Sequence, residues 1–189
     1  MVGISHAGQS DDVMNTPTDR PRIFSHLTRT RFLHIEDSLE RGKLRFFIGS
    51  FEKGKGARST AYAFLDVEDA RVIFSDMAWG KPVEFNDFKG GRDGSGVLIS
   101  RVLKIDSGTG MPRQASAVWV EVQNGPGQEL GEGAVKPDGL PSAVISIPLT
   151  IFEARKMAFA ALAYMQAWEV ARLVRRPGPL QEQDDLSKW

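Results

Sequence analysis

The segment Gly49–Gly56, with the sequence GSFEKGKG, resembles a phosphate-binding motif. It follows the nucleotide-loop pattern G-x-x-x-x-G-K, but Gly56 stands where that motif requires the serine or threonine that binds Mg²⁺. A nucleotide loop also leads into a helix whose N-terminus binds phosphate, whereas the next segment, STAYAFLDV, predicts a strand. The sequence therefore argues against nucleotide hydrolysis. Two interpretations remain: a basic turn that holds a polynucleotide phosphate, or a hairpin tip with solvated lysines.

The acidic cluster Asp66, Glu68 and Asp69 is a second candidate for chemistry. Carboxylates at this spacing can bind Mg²⁺ or share a proton, but they also supply the polar turn of a hairpin, and we favour the turn. The chain contains no cysteine, and its three histidines all precede the segments that predict the core. Because no nucleophile is paired with a base and an orienting group, we expect a non-enzymatic protein with no cofactor and no metal.

Basic and aromatic residues interleave along the chain. Its net charge is zero, but the segment from Arg20 to Arg58 carries ten lysines and arginines against four acidic residues. Proteins that bind single strands combine cations along the backbone with rings on which bases stack. The expected phosphate contacts are Lys53, Lys55, Arg58, Lys81, Lys89, Arg92 and Lys104. The expected stacking residues are Tyr62, Trp79, Phe88 and Trp119.

Among the stacking candidates, Trp119 has the strongest support from its position in the sequence. It lies on the polar face of its strand, beside Glu121 and Gln123, where a place in the core fits poorly. For any single ring the alternative interpretation is packing in the core.

About seven strand-forming segments precede one long helix. The strands are expected in KLRFFIGSFE, STAYAFLDV, ARVIFSDM, PVEFNDF, GVLISRVLKID, SAVWVEVQN and AVISIPL. A loop rich in glycine and proline is expected from Gly125 to Pro141. Thr150 and Glu153 form the capping box T-x-x-E, which predicts a helix that ends before Pro177. Antiparallel strands followed by a helix indicate an α+β fold.

The middle of this helix, from Met157 to Met165, carries no charge on any face. A helix on the surface of a domain keeps one polar face, so this segment indicates burial on all sides. We expect helices of several subunits to pack together in a homo-oligomer. The alternative is that two sheet layers of one domain enclose the helix. The expected oligomerisation residues are Met157, Ala161, Tyr164, Met165 and Trp168.

The two ends of the chain differ in composition from its middle. Residues 1–40 are expected to be a largely disordered or loosely ordered basic segment, with a possible ordered piece near RFLHIEDSLE. Residues 41–176 form the expected domain. Residues 177–189 form an acidic tail that either recruits a partner protein, occupies a basic groove or stays solvated. No membrane span or secretory signal is visible, which favours a cytoplasmic protein, associated with the nucleoid if it is bacterial.

Four segments in the second half of the chain resemble the Whirly proteins in order and spacing. They are PVEFNDFKGG, SRVLKIDSGTG, VWVEVQN and ISIPLTIFEARKMAFAALAYMQAW, and EKGKGA at Glu52–Ala57 resembles the lysine-glycine-lysine element of that family. The resemblance implies a single-stranded-DNA-binding, transcriptional-regulator-like fold, with two antiparallel sheets splayed around helices and a tetramer built on a helical core. Two features depart from the family pattern. No helix is predicted between the two sheets, and the lysine-glycine-lysine element continues as Gly56, Ala57 and Arg58.

We therefore expect a weakly sequence-specific, single-stranded-DNA-binding protein that acts in transcription regulation or DNA maintenance. Binding of RNA by the same fold is the first alternative, because the sequence does not separate the two nucleic acids. An oligomeric protein-interaction module without nucleic acid is the second.

Overall fold

The computed structural model describes residues 20–108, 118–131 and 134–175, which form nine strands and two helices. The first sheet has four antiparallel strands in sequential order: β1 (Arg22–Leu27), β2 (Arg31–Ser38), β3 (Lys43–Glu52) and β4 (Gly56–Asp66). A short 3-10 turn at Leu39–Arg41 joins β2 to β3.

The second sheet is also antiparallel. Its strands are β5 (Glu84–Arg92), β6 (Leu98–Asp106), β7 (Val118–Leu130), β8 (Ala134–Pro137) and β9 (Ala143–Leu149). The order is β5-β6-β7, and the first half of β7 then pairs with β9, while its second half pairs with β8. One long strand therefore serves both the main sheet and a short hairpin at its end.

Two helices lie between the sheets in the described chain, α1 (Val67–Ala78) and α2 (Ile151–Arg175). They pack antiparallel, because Arg155 near the start of α2 donates to the carbonyl of Ala78 at the end of α1, at 3.0 Å. At the opposite ends of the two helices Arg71 pairs with Glu169.

One continuous core joins the inner faces of both sheets to both helices. Alternate strand residues point inward, as the period of two requires. In the first sheet Leu33, Phe46 and Leu65 are fully buried. In the second sheet Ile105 and Val120 are fully buried as well. Since both sheets and both helices contribute to one core, the relative position of the two sheets is set by packing and not by a linker.

The segment ARVIFSDM belongs to α1, so the prediction of a strand there was wrong. The expectation that no helix connects the two sheets was also wrong, because α1 follows β4 and precedes β5. Its buried residues recur at helical spacing: Ala70, Ile73, Phe74, Met77 and Ala78. The acidic cluster before it is not a hairpin turn either. Asp66 is the N-cap, and two carboxylates lie in the first turn, where they favourably face the helix dipole.

Two predictions about irregular segments were also wrong. In residues 1–40, β1 and β2 complete the first sheet and bury Leu33 and Ile35; the ordered piece expected near RFLHIEDSLE corresponds to β2, but β1 was not expected. The expected Gly125–Pro141 loop holds the end of β7 and all of β8. Its glycines permit close packing, since a Cβ at Gly127 would lie 2.4 Å from the Val135 side chain. Residues 1–19 and the acidic tail 177–189 lie outside the described residues.

Helix α2 begins as predicted. The Thr150 hydroxyl accepts from the Glu153 amide at 3.2 Å, and the Glu153 carboxylate accepts from the Thr150 amide at 2.9 Å. The apolar middle of α2 is only partly enclosed, because Phe159 in it is more than half exposed. Neither helix of the described chain has an apolar stretch long enough to cross a bilayer.

The predicted oligomerisation residues point into the chain's own core, which corrects that prediction. Met157, Ala161 and Met165 are buried there. Trp168 packs against the core, and the Tyr164 hydroxyl donates to the Asp37 carboxylate at 2.8 Å. The sequence correctly indicated that residues of this uncharged segment are buried, but they are buried against the core of the same subunit and not against another one.

Candidate nucleic-acid interface

The outer face of the first sheet carries a continuous group of rings, which we call the aromatic face. Its members are Phe32, His34, Phe47, Phe51, Tyr62 and Phe64. They alternate along β2, β3 and β4 with the core residues, so the period that buries one set turns the other set outward. All six rings except His34 are partly exposed to solvent. The sheet therefore presents ordered rings on the side away from the core.

Ring contacts hold the aromatic face together. Phe32 stacks on His34, with centroids 4.9 Å apart, and approaches Phe47 at 5.3 Å. Tyr62 and Phe64 meet edge to face at 5.7 Å. Gly49 makes room for this arrangement, because a Cβ at that position would lie 2.4 Å from the Phe32 ring. These rings are thus placed before any ligand arrives, which lowers the entropic cost of stacking on them.

Two guanidinium groups lie over the Tyr62 ring. The Arg45 guanidinium carbon is 4.5 Å from the Tyr62 centroid and 4.8 Å from that of Phe47. The Arg101 guanidinium carbon is 4.6 Å from the Tyr62 centroid. Arg45 is oriented further by Glu36, whose carboxylate accepts its hydrogen bond at 2.7 Å. Planar cations beside open rings are suited to stacking on bases and to pairing with phosphate.

His34 is a neutral member of the aromatic face at physiological pH. Its ring is 8% exposed, and Nδ1 shares a hydrogen bond of 2.9 Å with the Ser25 hydroxyl. Burial, and after it the positive charge of Arg22, lower the pKa of His34 to about 4, although a backbone hydrogen bond with Leu33 opposes the shift. His34 therefore supplies a flat ring and no charge.

The β3–β4 turn lies at the end of this same sheet. Lys53, Lys55 and Arg58 are exposed there, on a turn whose Gly54 and Gly56 have φ of 83° and 82°. The carboxylate of Glu52 forms ion pairs with Lys55 at 2.8 Å and with Arg58 at 3.1 Å. The segment GSFEKGKG thus forms the end of β3 and the hairpin turn that follows it. The strand predicted directly after the segment indicated such a turn. The structure brings these three predicted cations and Tyr62 onto one sheet.

The other predicted residues lie elsewhere. Phe88, Lys104 and Trp119 occupy the outer face of the second sheet. The carboxylates of Glu84, Asp106 and Glu121 share that face, and Glu121 pairs with Lys104 at 3.4 Å. The cations of this face, Lys104 and Arg92, are both paired with carboxylates, so it is a poor phosphate site.

Lys89 and Arg92, on β5, are engaged within the chain. The Lys89 ammonium contacts the carboxylates of Asp66 and Asp87, each at 2.7 Å. Arg92 pairs with Glu129 at 3.3 Å. We therefore assign Lys89 to the contact between the two sheets.

Trp79 and Lys81 follow α1 and belong to neither sheet. Trp79 is 81% exposed, and Lys81 pairs with Asp76 at 3.0 Å. They do not join the aromatic face.

Sequence reasoning did not select the majority of the aromatic face or either arginine. The signal for Phe47 was present, because it alternates with Phe46 and Ile48 in a strand that was correctly predicted. Arg101 carried no such signal. It lies on a strand of the second sheet and reaches Tyr62 only through the packing of one sheet against the other.

Comparison with known proteins identifies the fold. No known protein-family model and no curated protein matches the chain. The structure of the plant transcriptional regulator PBF-2 is similar, with a TM-score of 0.51 and 16% identity over 87% of this chain and 92% of that chain. A crystal structure of WHY1 from Arabidopsis thaliana gives a TM-score of 0.48 and 12% identity over 87% and 99% of the two chains. The similarity to PBF-2 confirms the predicted Whirly-like α+β fold of two antiparallel sheets.

Proposed function

We propose that this protein binds single-stranded DNA, with the bases stacked on the aromatic face. The observation that carries this proposal is the set of ordered, partly exposed rings on the first sheet, with Arg45 and Arg101 placed over Tyr62. Rings on an open sheet suit unpaired bases, because a duplex hides the faces of its bases from protein side chains. The similar structure of a plant transcriptional regulator supports a role in transcription regulation.

The cations around the aromatic face supply the phosphate contacts in this proposal. Lys53, Lys55 and Arg58 lie at one end of the sheet, against the single carboxylate of Glu52. A strand that crosses the rings toward the turn meets these side chains. Because such contacts release counterions, affinity falls as the salt concentration rises.

Sequence preference is expected to be weak. The members of the aromatic face other than His34 and Tyr62 are phenylalanines, and a phenylalanine ring has no hydrogen-bonding group with which to read a base edge. Every base has a π-face, so stacking tolerates all four of them. RNA is the alternative ligand for the same surface, and it is an outcome of the test below.

A titration of labelled oligonucleotides followed by fluorescence anisotropy tests the proposal. The chain is expected to bind a deoxythymidine oligomer more tightly than the matching duplex. Phe47→Ala should weaken binding by about 1–3 kcal/mol, the usual cost of one lost stacking contact. Phe88→Ala, the same change on the second sheet, is the matched control and should have little effect. Equal losses in both variants, or no binding in low salt, would contradict the proposal, and tighter binding of an RNA oligomer would favour the alternative.

We also propose that the chain forms a homo-oligomer, with a tetramer as the expected state. A row of large apolar side chains along α2 is more than half exposed: Phe152, Phe159, Val170, Leu173 and Val174. Apolar area of this extent on one helix is typical of a contact between proteins. Light scattering after size exclusion should report several subunits, and Leu173→Glu should shift the protein toward the monomer. A monomeric wild-type protein at micromolar concentration would contradict this part of the proposal.

A further inference from the structure

We infer that Asn124 and Arg101 are positioning residues, which hold Tyr62 of the first sheet from the second sheet and thereby fix the aromatic face. This inference rests on the proposed function and assigns two residues to the same site. Neither residue has to touch the nucleic acid in this role. Each acts on a different part of Tyr62, one on the backbone and the other on the side chain.

Asn124 binds the backbone of Tyr62 at two points. Its side-chain oxygen accepts from the Tyr62 amide at 3.0 Å, and its side-chain nitrogen donates to the Tyr62 carbonyl at 2.8 Å. The same nitrogen donates to the carbonyl of Gln123 at 2.9 Å, which sets the orientation of the amide group. One asparagine side chain thus takes the place of a neighbouring strand.

The position of Tyr62 explains why such a substitute is required. Strand β4 is the last strand of its sheet, so on its outer side backbone groups have no strand partner. Tyr62 faces Phe47 across the β3–β4 pair, and its own amide and carbonyl point away from β3 to Asn124. Without Asn124 this partly buried peptide would lose both bonds, which is costly in a protein interior.

Arg101 holds the side chain of the same residue. Its guanidinium donates to the Tyr62 hydroxyl at 2.6 Å and lies over the ring at 4.6 Å. Arg101 is 8% exposed, so its stem and head are packed in place. An arginine bound at the hydroxyl end and stacked on the ring restricts both rotations of the tyrosine side chain.

The two residues form a unit. Arg101 and Asn124 are directly opposite each other on β6 and β7, and Lys89 is opposite Arg101 on β5. Directly opposed residues point to the same face of a sheet. All three contact β4: Asn124 and Arg101 bind Tyr62, and Lys89 binds the Asp66 carboxylate at the end of that strand. Through this row of three side chains on three strands, the second sheet contacts the edge strand of the first sheet.

A double-mutant cycle tests whether Asn124 acts through Tyr62. Asn124→Ala is expected to raise the oligonucleotide Kd about three- to tenfold, the effect of freeing one or two ordered groups. In a Tyr62→Ala background the same substitution should raise the Kd by a clearly smaller factor, because the backbone that Asn124 binds remains but the ring that it places is gone. Equal fold-changes in the two backgrounds would overturn the inference for Asn124.

A second cycle covers Arg101 with a substitution that preserves the charge. Arg101→Lys should weaken binding in the wild-type background and should weaken it less in Tyr62→Phe, which retains the ring contact but lacks the hydroxyl. The slope of log Kd against log salt should stay unchanged in both Arg101→Lys and Arg101→Met. A direct phosphate contact would instead reduce the slope by about 0.7 in Arg101→Met, and that result would overturn the positioning role.

The wild-type protein separates this inference from the function on which it rests. Failure of the wild-type protein to bind any oligonucleotide would refute the proposed function, and the inference with it. Binding by the wild type with loss in Phe47→Ala, combined with additive cycles, would leave the function in place and refute the positioning role alone.

Discussion

Protonation of His34 should destabilise the fold as the pH falls below neutrality. The pKa of this residue drops from the ordinary value of 6.5 to about 4, chiefly because the ring is buried. In the unfolded chain the imidazole binds a proton near pH 6.5, whereas the folded chain does not until the pH approaches 4. The unfolded state therefore binds more protons between these two values, and stability is lost as the pH falls through that window.

The size of this effect follows from the shift. One pKa unit corresponds to about 1.4 kcal/mol, so lowering the pH from above 7 to 5 removes about 2 kcal/mol from the free energy of unfolding through His34 alone. Carboxylates also begin to titrate in this range, so the comparison requires a variant. His34→Gln has no titrating ring, and the pH dependence of its stability should be flatter than that of the wild type by that amount.

Urea unfolding at pH 7.5 and pH 5 measures the difference between the two proteins. The same variant identifies the His34 resonance for an NMR titration, since the chain contains only three histidines. The midpoint of that resonance should lie near 4. A midpoint near 6.5, or identical pH dependence of stability in wild type and His34→Gln, would refute the reasoning from burial.

Three further substitutions have expected outcomes. Thr150→Ala removes the reciprocal cap with Glu153 at the start of α2 and should lower the free energy of unfolding by about 0.5–2 kcal/mol, as urea denaturation would show. Tyr164→Phe removes the bond to Asp37 and should cost about 1 kcal/mol at neutral pH. Burial raises the pKa of Tyr164 to about 12, so the wild type should also lose stability as the pH rises from 10 to 12 and the variant should lose less. Lys53→Ala at the exposed turn should reduce the salt slope of oligonucleotide binding by about 0.7 and leave the stability unchanged.

Local patterns in the sequence predicted the central strands and the start of the long helix. Strand β3 matches the segment KLRFFIGSFE residue for residue, because alternating apolar residues define both its length and its faces. The capping box at Thr150 is a local signal and was confirmed by its hydrogen bonds. Helix α1 was missed because an eight-residue apolar segment fits a buried strand and a buried helix almost equally well.

The candidate site was less accessible to sequence reasoning than the fold. Tyr62 was selected because it lies in an aromatic strand, but its partners Arg101 and Asn124 are contributed by the other sheet. Trp119 was selected for its polar neighbours Glu121 and Gln123. The structure places Asp106 opposite Trp119 on the same face, and the acidic residues there disfavour phosphate. Which strands lie side by side is decided by long-range packing, and that information is absent from local periodicity.

Photochemical cross-linking to an oligonucleotide that contains bromodeoxyuridine tests the central claim most directly. Ultraviolet light joins such a base to aromatic residues in contact with it, and mass spectrometry then identifies the peptide. We expect cross-links in β3 and β4, at Phe47, Tyr62 or Phe64. Cross-links confined to Trp119 on β7, or to Trp79 after α1, would contradict the assignment of the bases to the first sheet.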